Sequence, residues 1–189
     1  LTENNKDAIS VLKEVNLPVF VKPNKNGSSY GTFKVSKENE LETAIKKAFE
    51  FDDEVLVEEY IDGRELACGV FEQNGKLIPL PLTEIISENE FFDYEAKYEG
   101  KSQEITPAEI PDNIRDEAQE KACEIYRILK LKGAIRVDYF LKGNDLYLLE
   151  VNTIPGLSAE SILPQEAKAA GYSLEDFFGI MIEEALKLG

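Results

Sequence analysis

The chain has 189 residues, 43% of them hydrophobic, and sets 37 Asp and Glu against 21 Lys and Arg, a formal charge of −16. That apolar content suffices for one domain or two small lobes, while the negative field and the lack of any Lys/Arg cluster exclude a nucleic-acid surface. Histidine is absent, which removes Ser-His and Cys-His nucleophiles and most zinc sites and leaves carboxylates, Lys, Arg, Tyr, Ser and metal for chemistry. The two cysteines, Cys68 and Cys123, lie in apolar segments and read as reduced core residues, which fits a cytoplasmic protein. No segment is long and apolar enough for a bilayer, and no basic-then-apolar leader is present. The first residue is Leu1 rather than Met, which reads as an excerpt of a longer chain.

In chain order, residues 3 to 14 read as a short helix capped by Thr2 or Asn4. Leu17 to Lys22 is a buried strand ending at Pro23, Asn24 to Gly31 a polar loop, and Thr32 to Val35 a further strand. Ser36 is the expected N-cap of a helix whose Leu41, Ala44, Ile45, Ala48 and Phe49 recur at helical spacing. Strands follow at Val55 to Ile61 and Glu65 to Phe71, split by Asp62-Gly63, and Asn74-Gly75 signals a hairpin into Leu77 to Leu82. Residues 87 to 111 lack periodicity, as a functional loop would. Pro111-Asp112 opens a helix to about residue 130, and two more are expected at about 159 to 170 and 173 to 187, the last capped by Ser173. This order implies an α+β fold of two lobes, with the pocket between them as the default site.

The segment from Gly133 to Gly156 carries the sharpest chemistry. Two apolar strands flank Gly143-Asn144, and a hairpin closing there brings Asp138 within about a residue of Glu150. Strand alternation puts Glu150 and Asn152 on one side. Two carboxylates and an amide oxygen make a hard-oxygen set that suits Mg²⁺ with bound phosphates better than Ca²⁺, since the EF-hand spacing is missing. An ordinary hairpin whose acids face water would contain the same residues. The apolar neighbours of Glu150 favour a buried strand, where a cation is the usual remedy for a carboxylate.

Read together, Phe20-Val-Lys22-Pro with Gly27-Ser-Ser, Glu58-Glu-Tyr-Ile, Gly63-Arg-Glu65, Asp93-Tyr-Glu-Ala-Lys97-Tyr98, Arg136-Val-Asp138 and Leu149-Glu150-Val-Asn152-Thr-Ile-Pro-Gly156 resemble the D-alanine:D-alanine ligases of the ATP-grasp superfamily. The resemblance spans essentially the whole chain and leaves out that family's amino-terminal domain. It implies an ATP-grasp α+β fold with the nucleotide between a small lobe, residues 1–64, and a carboxy-terminal lobe, residues 65–189, that carries the metal hairpin.

By this resemblance Lys22 and Lys97 bind the phosphates of ATP, Glu65 the ribose hydroxyls and Glu58 the adenine amino group, with backbone groups of Glu59 and Ile61 completing the base site. Asp138, Glu150 and Asn152 hold two Mg²⁺ ions, with Mn²⁺ as the alternative. Arg136 and the Gly156 amide stabilise the oxyanion, Ser161 meets the carboxylate of the second substrate, and Ser28 and Tyr98 shape the first D-alanine site with a residue of the amino-terminal domain. The implied reaction joins two D-alanines through a D-alanyl phosphate for peptidoglycan precursors. The implied partners are ATP, D-alanine and that domain, with a homodimer at full length and neither nucleic acid nor membrane.

Plainer readings stand beside these. Lys22 could be a solvated strand-end lysine, Arg136 the salt-bridge partner of Asp138, and the aromatics 91, 92, 94 and 98 a satellite core. Tyr30 and Glu160 depart from the family's usual residues and touch only fine specificity. A ligase for D-alanine with D-serine or D-lactate, and a nucleotide-binding module without catalysis, are the rival functions. Arg136 beside all three metal ligands argues against the module.

Overall fold

The computed structural model describes residues 1–2, 8–87 and 102–187, and within them the chain folds as two units, Leu1–Ile61 and Asp62–Ile86 with Gln103 onward. No helix among the described residues is long and apolar enough to cross a membrane.

In the first unit a short helix α1 (Ala8–Val11) is followed by β1 (Val19–Pro23), β2 (Phe33–Val35), α2 (Glu38–Ala48) and β3 (Val55–Glu59). The strands form an antiparallel sheet in the order β2-β1-β3. β1 alternates as period two demands: Val19, Val21 and Pro23 are buried, Phe20 and Lys22 half-buried. The buried side takes Leu41, Ala44, Ile45 and Ala48 of α2, each fully buried Leu or Ile contributing about 1.5–3 kcal/mol. Acids in the first turn of α2 and lysines in its last match its dipole. The expected cap at Ser36 is corrected: Lys37 is the N-cap, with extended backbone and no side-chain cap bond. Thr2 bridges Glu54 and the Leu1 ammonium donates to the Val55 carbonyl at 2.7 Å, while the start of the helix expected from residue 3 lies outside the described residues.

The second unit contains β4 (Arg64–Gln73), β5 (Lys76–Pro79), β6 (Thr83–Ser87), β7 (Ser102–Ile105), α3 (Asp112–Ile128), β8 (Ile135–Lys142), β9 (Asp145–Asn152), α4 (Ile162–Ala169) and α5 (Leu174–Leu186). Its sheet runs β7-β6-β4-β8-β9, with β5 also paired to β4. The strand expected at Leu77 to Leu82 stops at Pro79 and a further strand begins only at Thr83, because Pro79 and Pro81 have no N–H to continue a ladder. β7 emerges from the stretch expected to be irregular. One face of the sheet packs Leu66, Cys68, Val70, Val137 and Tyr139 on the Ile114, Ala118, Ala122 and Tyr126 stripe of α3. The other face is covered at one end by Leu163 and Ala167 of α4 and Phe177 of α5, around Phe71 and Leu80. Ser173 caps α5 as expected, its hydroxyl accepting from the Asp176 N–H at 3.0 Å.

Candidate functional site

The two-residue turn Gly143-Asn144 joins β8 to β9, and the register sets Asp138 opposite Glu150 and Arg136 opposite Asn152. Counting back from the turn alone would set Asp138 opposite Leu149. A bulge between Asp138 and Tyr139 makes Leu149 an extra residue and re-aims everything after it. Without the bulge, Glu150 and Asn152 would alternate onto the side of Leu146 and Leu148. With it, they share the face of Arg136 and Asp138.

β4 continues this face. Ala67 lies opposite Asp138, Gly69 opposite Arg136 and Glu65 opposite Phe140, so Glu65, Arg136, Asp138, Glu150 and Asn152 stand on one side of one sheet. Gly69 carries no side chain, and Leu163 and Glu166 reach over it instead.

Asp138 is 2% exposed. It is held at both oxygens: Arg136 Nε donates to Oδ1 and Nη2 to Oδ2, each at 2.7 Å, and Asn152 Nδ2 donates to Oδ2 at 2.8 Å. The same amide reaches Glu150 Oε1 at 3.3 Å. Burial alone would lower the Arg136 pKa, but the Asp138, Glu166 and Glu150 carboxylates outweigh it and hold the guanidinium charged. Glu150 itself is exposed. The expectation of a buried acid is thus corrected, since β9 is the edge strand of the sheet and its apolar neighbours do not enclose it.

The donor set fits a hard divalent cation that brings oxygen ligands of its own. Among the described residues no three His, Cys, Asp or Glu side chains gather as a metal site, so this chain offers two carboxylates and the Asn152 carboxamide, and phosphate oxygens would complete the shell. Arg136 and the Asn152 amide now supply the positive edge against which the carboxylates converge. The same carboxamide turned over presents its oxygen, an arrangement favoured only with a cation between the groups.

After β9 the chain bends at Thr153-Ile154, and α4 starts at Ile162 rather than near 159, with Ser161 as its N-cap residue. Gly156 and Ser161 are brought together: a Cβ on Gly156 would lie 2.7 Å from Ser161 Oγ. Ser158 Oγ is 2.8 Å from the same hydroxyl. Any side chain at 156 would push the serine aside.

In the first unit, Lys22 Nζ meets Glu58 Oε2 at 2.6 Å across β1 and β3. It is therefore not a lone solvated lysine. Phe20, Lys34, Leu56 and Tyr60 belong to the same open side, with Lys34 Nζ 4.3 Å from the Tyr60 ring centre. Glu59 ends β3, paired to Val19, and Ile61 follows two residues later.

Ser28 and Ser29 adopt φ of 55° and 57°, a left-handed backbone seldom seen in non-glycine residues. Both ends of their loop are fastened to the turn before β3. The Lys25 N–H donates to Asp52 at 2.5 Å and its Nζ lies 2.8 Å from Asp53, while Tyr30 packs edge-on against Phe51, ring centres 5.3 Å apart. Gly31 has φ 79°, and a Cβ there would strike the Phe51 ring at 2.7 Å. Lys97 and Tyr98, with the motif from Asp93, lie outside the described residues.

One residue of this neighbourhood escaped the sequence reading. Glu166 of α4 is fully buried, its Oε2 accepts from the Gly69 N–H at 2.7 Å, and burial pushes its carboxyl well up. A signal existed: Glu166 falls between Ile162, Leu163 and Ala167 on the apolar stripe of its helix.

The sequence model of the D-alanine–D-alanine ligase carboxy-terminal region matches residues 1–183. The chain belongs to this family. A D-alanine–D-alanine ligase of Flavobacterium johnsoniae is 53% identical over 93% of the chain, and one of Christiangramia forsetii is 49% identical over 93%. The chain spans about half the length of these ligases, 54% in each case.

Solved ligase structures overlay closely. The VanG D-Ala:D-Ser ligase of Enterococcus faecalis gives a TM-score of 0.85 at 38% identity, covering 97% of this chain and 54% of that one. A D-alanine–D-alanine ligase of Bacillus anthracis complexed with ATP gives 0.82 at 34%, covering 100% and 60%. The expected ATP-grasp α+β class is the fold of these ligases.

Proposed function

We propose that this chain forms the nucleotide- and cation-binding part of a D-alanine–D-alanine ligase. The observation that carries the proposal is the joint face of Glu65, Arg136, Asp138, Glu150 and Asn152, built by the register and bulge of the β8-β9 hairpin and the pairing of β4 to β8, in a chain of this family. In the reaction so assigned, a carboxylate oxygen of the first D-alanine attacks the γ-phosphorus of ATP and ADP leaves. The amine of the second D-alanine then attacks the acyl phosphate, phosphate departs, and the dipeptide remains. Bound magnesium supplies charge neutralisation for the transferring phosphoryl group.

The chain's own residues divide the remaining work. Asp138, Glu150 and Asn152 would hold the metal, Lys22 and Lys97 the phosphates, and Glu65 the ribose. Glu58, with backbone groups of Glu59 and Ile61, would read the adenine. Ser28 lies in the loop that would close on the phosphates, and Ser28 and Tyr98 would shape the first substrate site. Arg136 and the Gly156 N–H would meet the oxyanion of the tetrahedral intermediate, and Ser161 the carboxylate of the second substrate. Buried cysteines whose thiols are pushed up by burial are compatible with the reducing cytoplasm where this chemistry belongs. At full length the enzyme would act as a homodimer, and the part of the ligases beyond this chain would complete the first D-alanine site.

Isothermal titration of the chain with ATP and Mg²⁺ tests the assignment. The parent should bind, and Glu150→Gln should weaken magnesium-dependent binding about tenfold, the effect of about 1.4 kcal/mol, with stability unchanged because Glu150 is exposed. Equal affinities would remove Glu150 from the cation site. The chain alone should form little dipeptide, so full turnover from it would overturn the division of labour. A second reading, D-serine as second substrate, is favoured by the overlay on a D-Ala:D-Ser ligase. A substrate panel on the full-length enzyme decides between them.

A further inference from the structure

The carboxyl of Glu166 has two oxygens in two different situations. Oε2 closes a defect in the sheet. β4 pairs with β6 through Ala67 and with β5 from Val70 onward, so Gly69 lies between two neighbours with its N–H outside either ladder. Glu166 Oε2 accepts from that N–H at 2.7 Å, and the Thr83 hydroxyl adds a second bond to the carboxyl. Oε1 is buried and has no hydrogen-bond partner. Such an atom is costly, and a purely structural patch needs only one oxygen.

The surroundings indicate what the second oxygen is for. A Cβ built on Gly69 would lie 2.3 Å from Leu163 Cδ1 and 2.5 Å from Glu166 Oε2, so the carboxyl shares with Leu163 the place a side chain at 69 would fill. Residue 69 lies directly opposite Arg136, and directly opposed Cβ positions are about 4.5–5.5 Å apart. The Glu166 carboxyl is therefore the cross-strand neighbour of Arg136, and the two stabilise each other's charge. Arg136 currently turns its Nε and Nη2 edge to Asp138.

We infer that Glu166 is a positioning residue for Arg136, its Oε1 being the seat the guanidinium takes when the Asp138 carboxylate turns to a cation. This rests on the reading of Asp138 as a magnesium ligand. A half-buried guanidinium released by Asp138 would otherwise be stranded beside the metal. With Glu166 behind it, Arg136 stays charged, in place and free of the metal ligand.

The test separates the seat from the patch. Glu166→Gln keeps an oxygen for the Gly69 N–H but puts an NH₂ group where Oε1 was. In urea denaturation at neutral pH, without metal or nucleotide, Glu166→Gln should leave the parent's midpoint unchanged or raised. In an Asp138→Asn background, where Arg136 has lost its present partner, the same change should raise the unfolding equilibrium constant about tenfold beyond the sum of the single effects. Additive effects would overturn the seat.

A second measurement needs only the single variant. A non-hydrolysable ATP analogue should bind Glu166→Gln about tenfold more weakly than the parent with Mg²⁺ and equally without it. Equal affinity in both arms also overturns the seat. A parent that does not bind the analogue sinks the nucleotide reading instead, and the denaturation cycle still decides the Arg136–Glu166 coupling.

Discussion

Lys22 with Glu58 in the first unit and Arg136 with Asp138 in the second are ion pairs of nearly equal length, 2.6 and 2.7 Å, in opposite surroundings. Lys22 is a point charge on a flexible stem, and its partner carboxylate is 40% exposed. Arg136 engages both oxygens of a carboxylate that is only 3% exposed in its side chain, and Asn152 adds a third bond. Water competes for the first pair and is excluded from the second. A phosphate could take Lys22 from Glu58 at little cost, whereas Asp138 yields Arg136 only to something that replaces a full positive charge. One pair is suited to exchanging ligands and the other to holding a geometry.

The largest effect should come from breaking the enclosed pair. Asp138→Ala leaves Arg136 without its bidentate partner and should destabilise the second unit by about 3 kcal/mol, read as a shift of the urea midpoint, and should abolish magnesium-dependent nucleotide binding. A midpoint within error of the parent would show that water reaches Arg136 and dissolve the contrast.

A smaller effect depends on pH. Glu166 has a folded pKa raised above its ordinary 4.5 by burial, against the pull of Gly69, Thr83 and Arg136 and with a further push from Asp138. A raised carboxyl binds more protons when folded than when unfolded, so its cost is absent below about pH 4.5 and grows as pH rises toward the folded value. The stability of Glu166→Gln relative to the parent should therefore increase from pH 4 to pH 7. A constant difference across that range would mean that Glu166 does not titrate with folding.

The smallest effect is expected at the open pair. Glu58→Gln should change stability by less than about 1 kcal/mol, and salt should erase what change there is. Lys22→Met should be equally mild for folding yet weaken ATP binding. Loss of folding in either variant would place this pair with the enclosed one.

How far the sequence could be read differs along the same lines. The Gly143-Asn144 turn, the stripe of α2 and the Ser173 cap were legible because each is a local pattern with one dominant cause. Glu150 was misjudged because burial of a strand depends on whether another strand lies outside it, which no window of residues contains. The bulge at Leu149 was invisible for a related reason: an extra residue in a strand has no composition of its own. Pro79 and Pro81 did announce the break between β5 and β6, through donors they lack. Glu166 stood in an apolar stripe, but its partner, the Gly69 N–H, is 97 positions away in sequence.

The single unpaired residue at 149 also fixes how this hairpin can change in length. Removing it, or adding one more beside it, would send the acid and the amide that follow it into the greasy layer under α3 and bring Val151 out in their stead. Exchange of the leucine for another strand-forming side chain leaves the parity untouched. Between Asp138 and Glu150, then, the chain should accept altered spelling far more readily than an altered count.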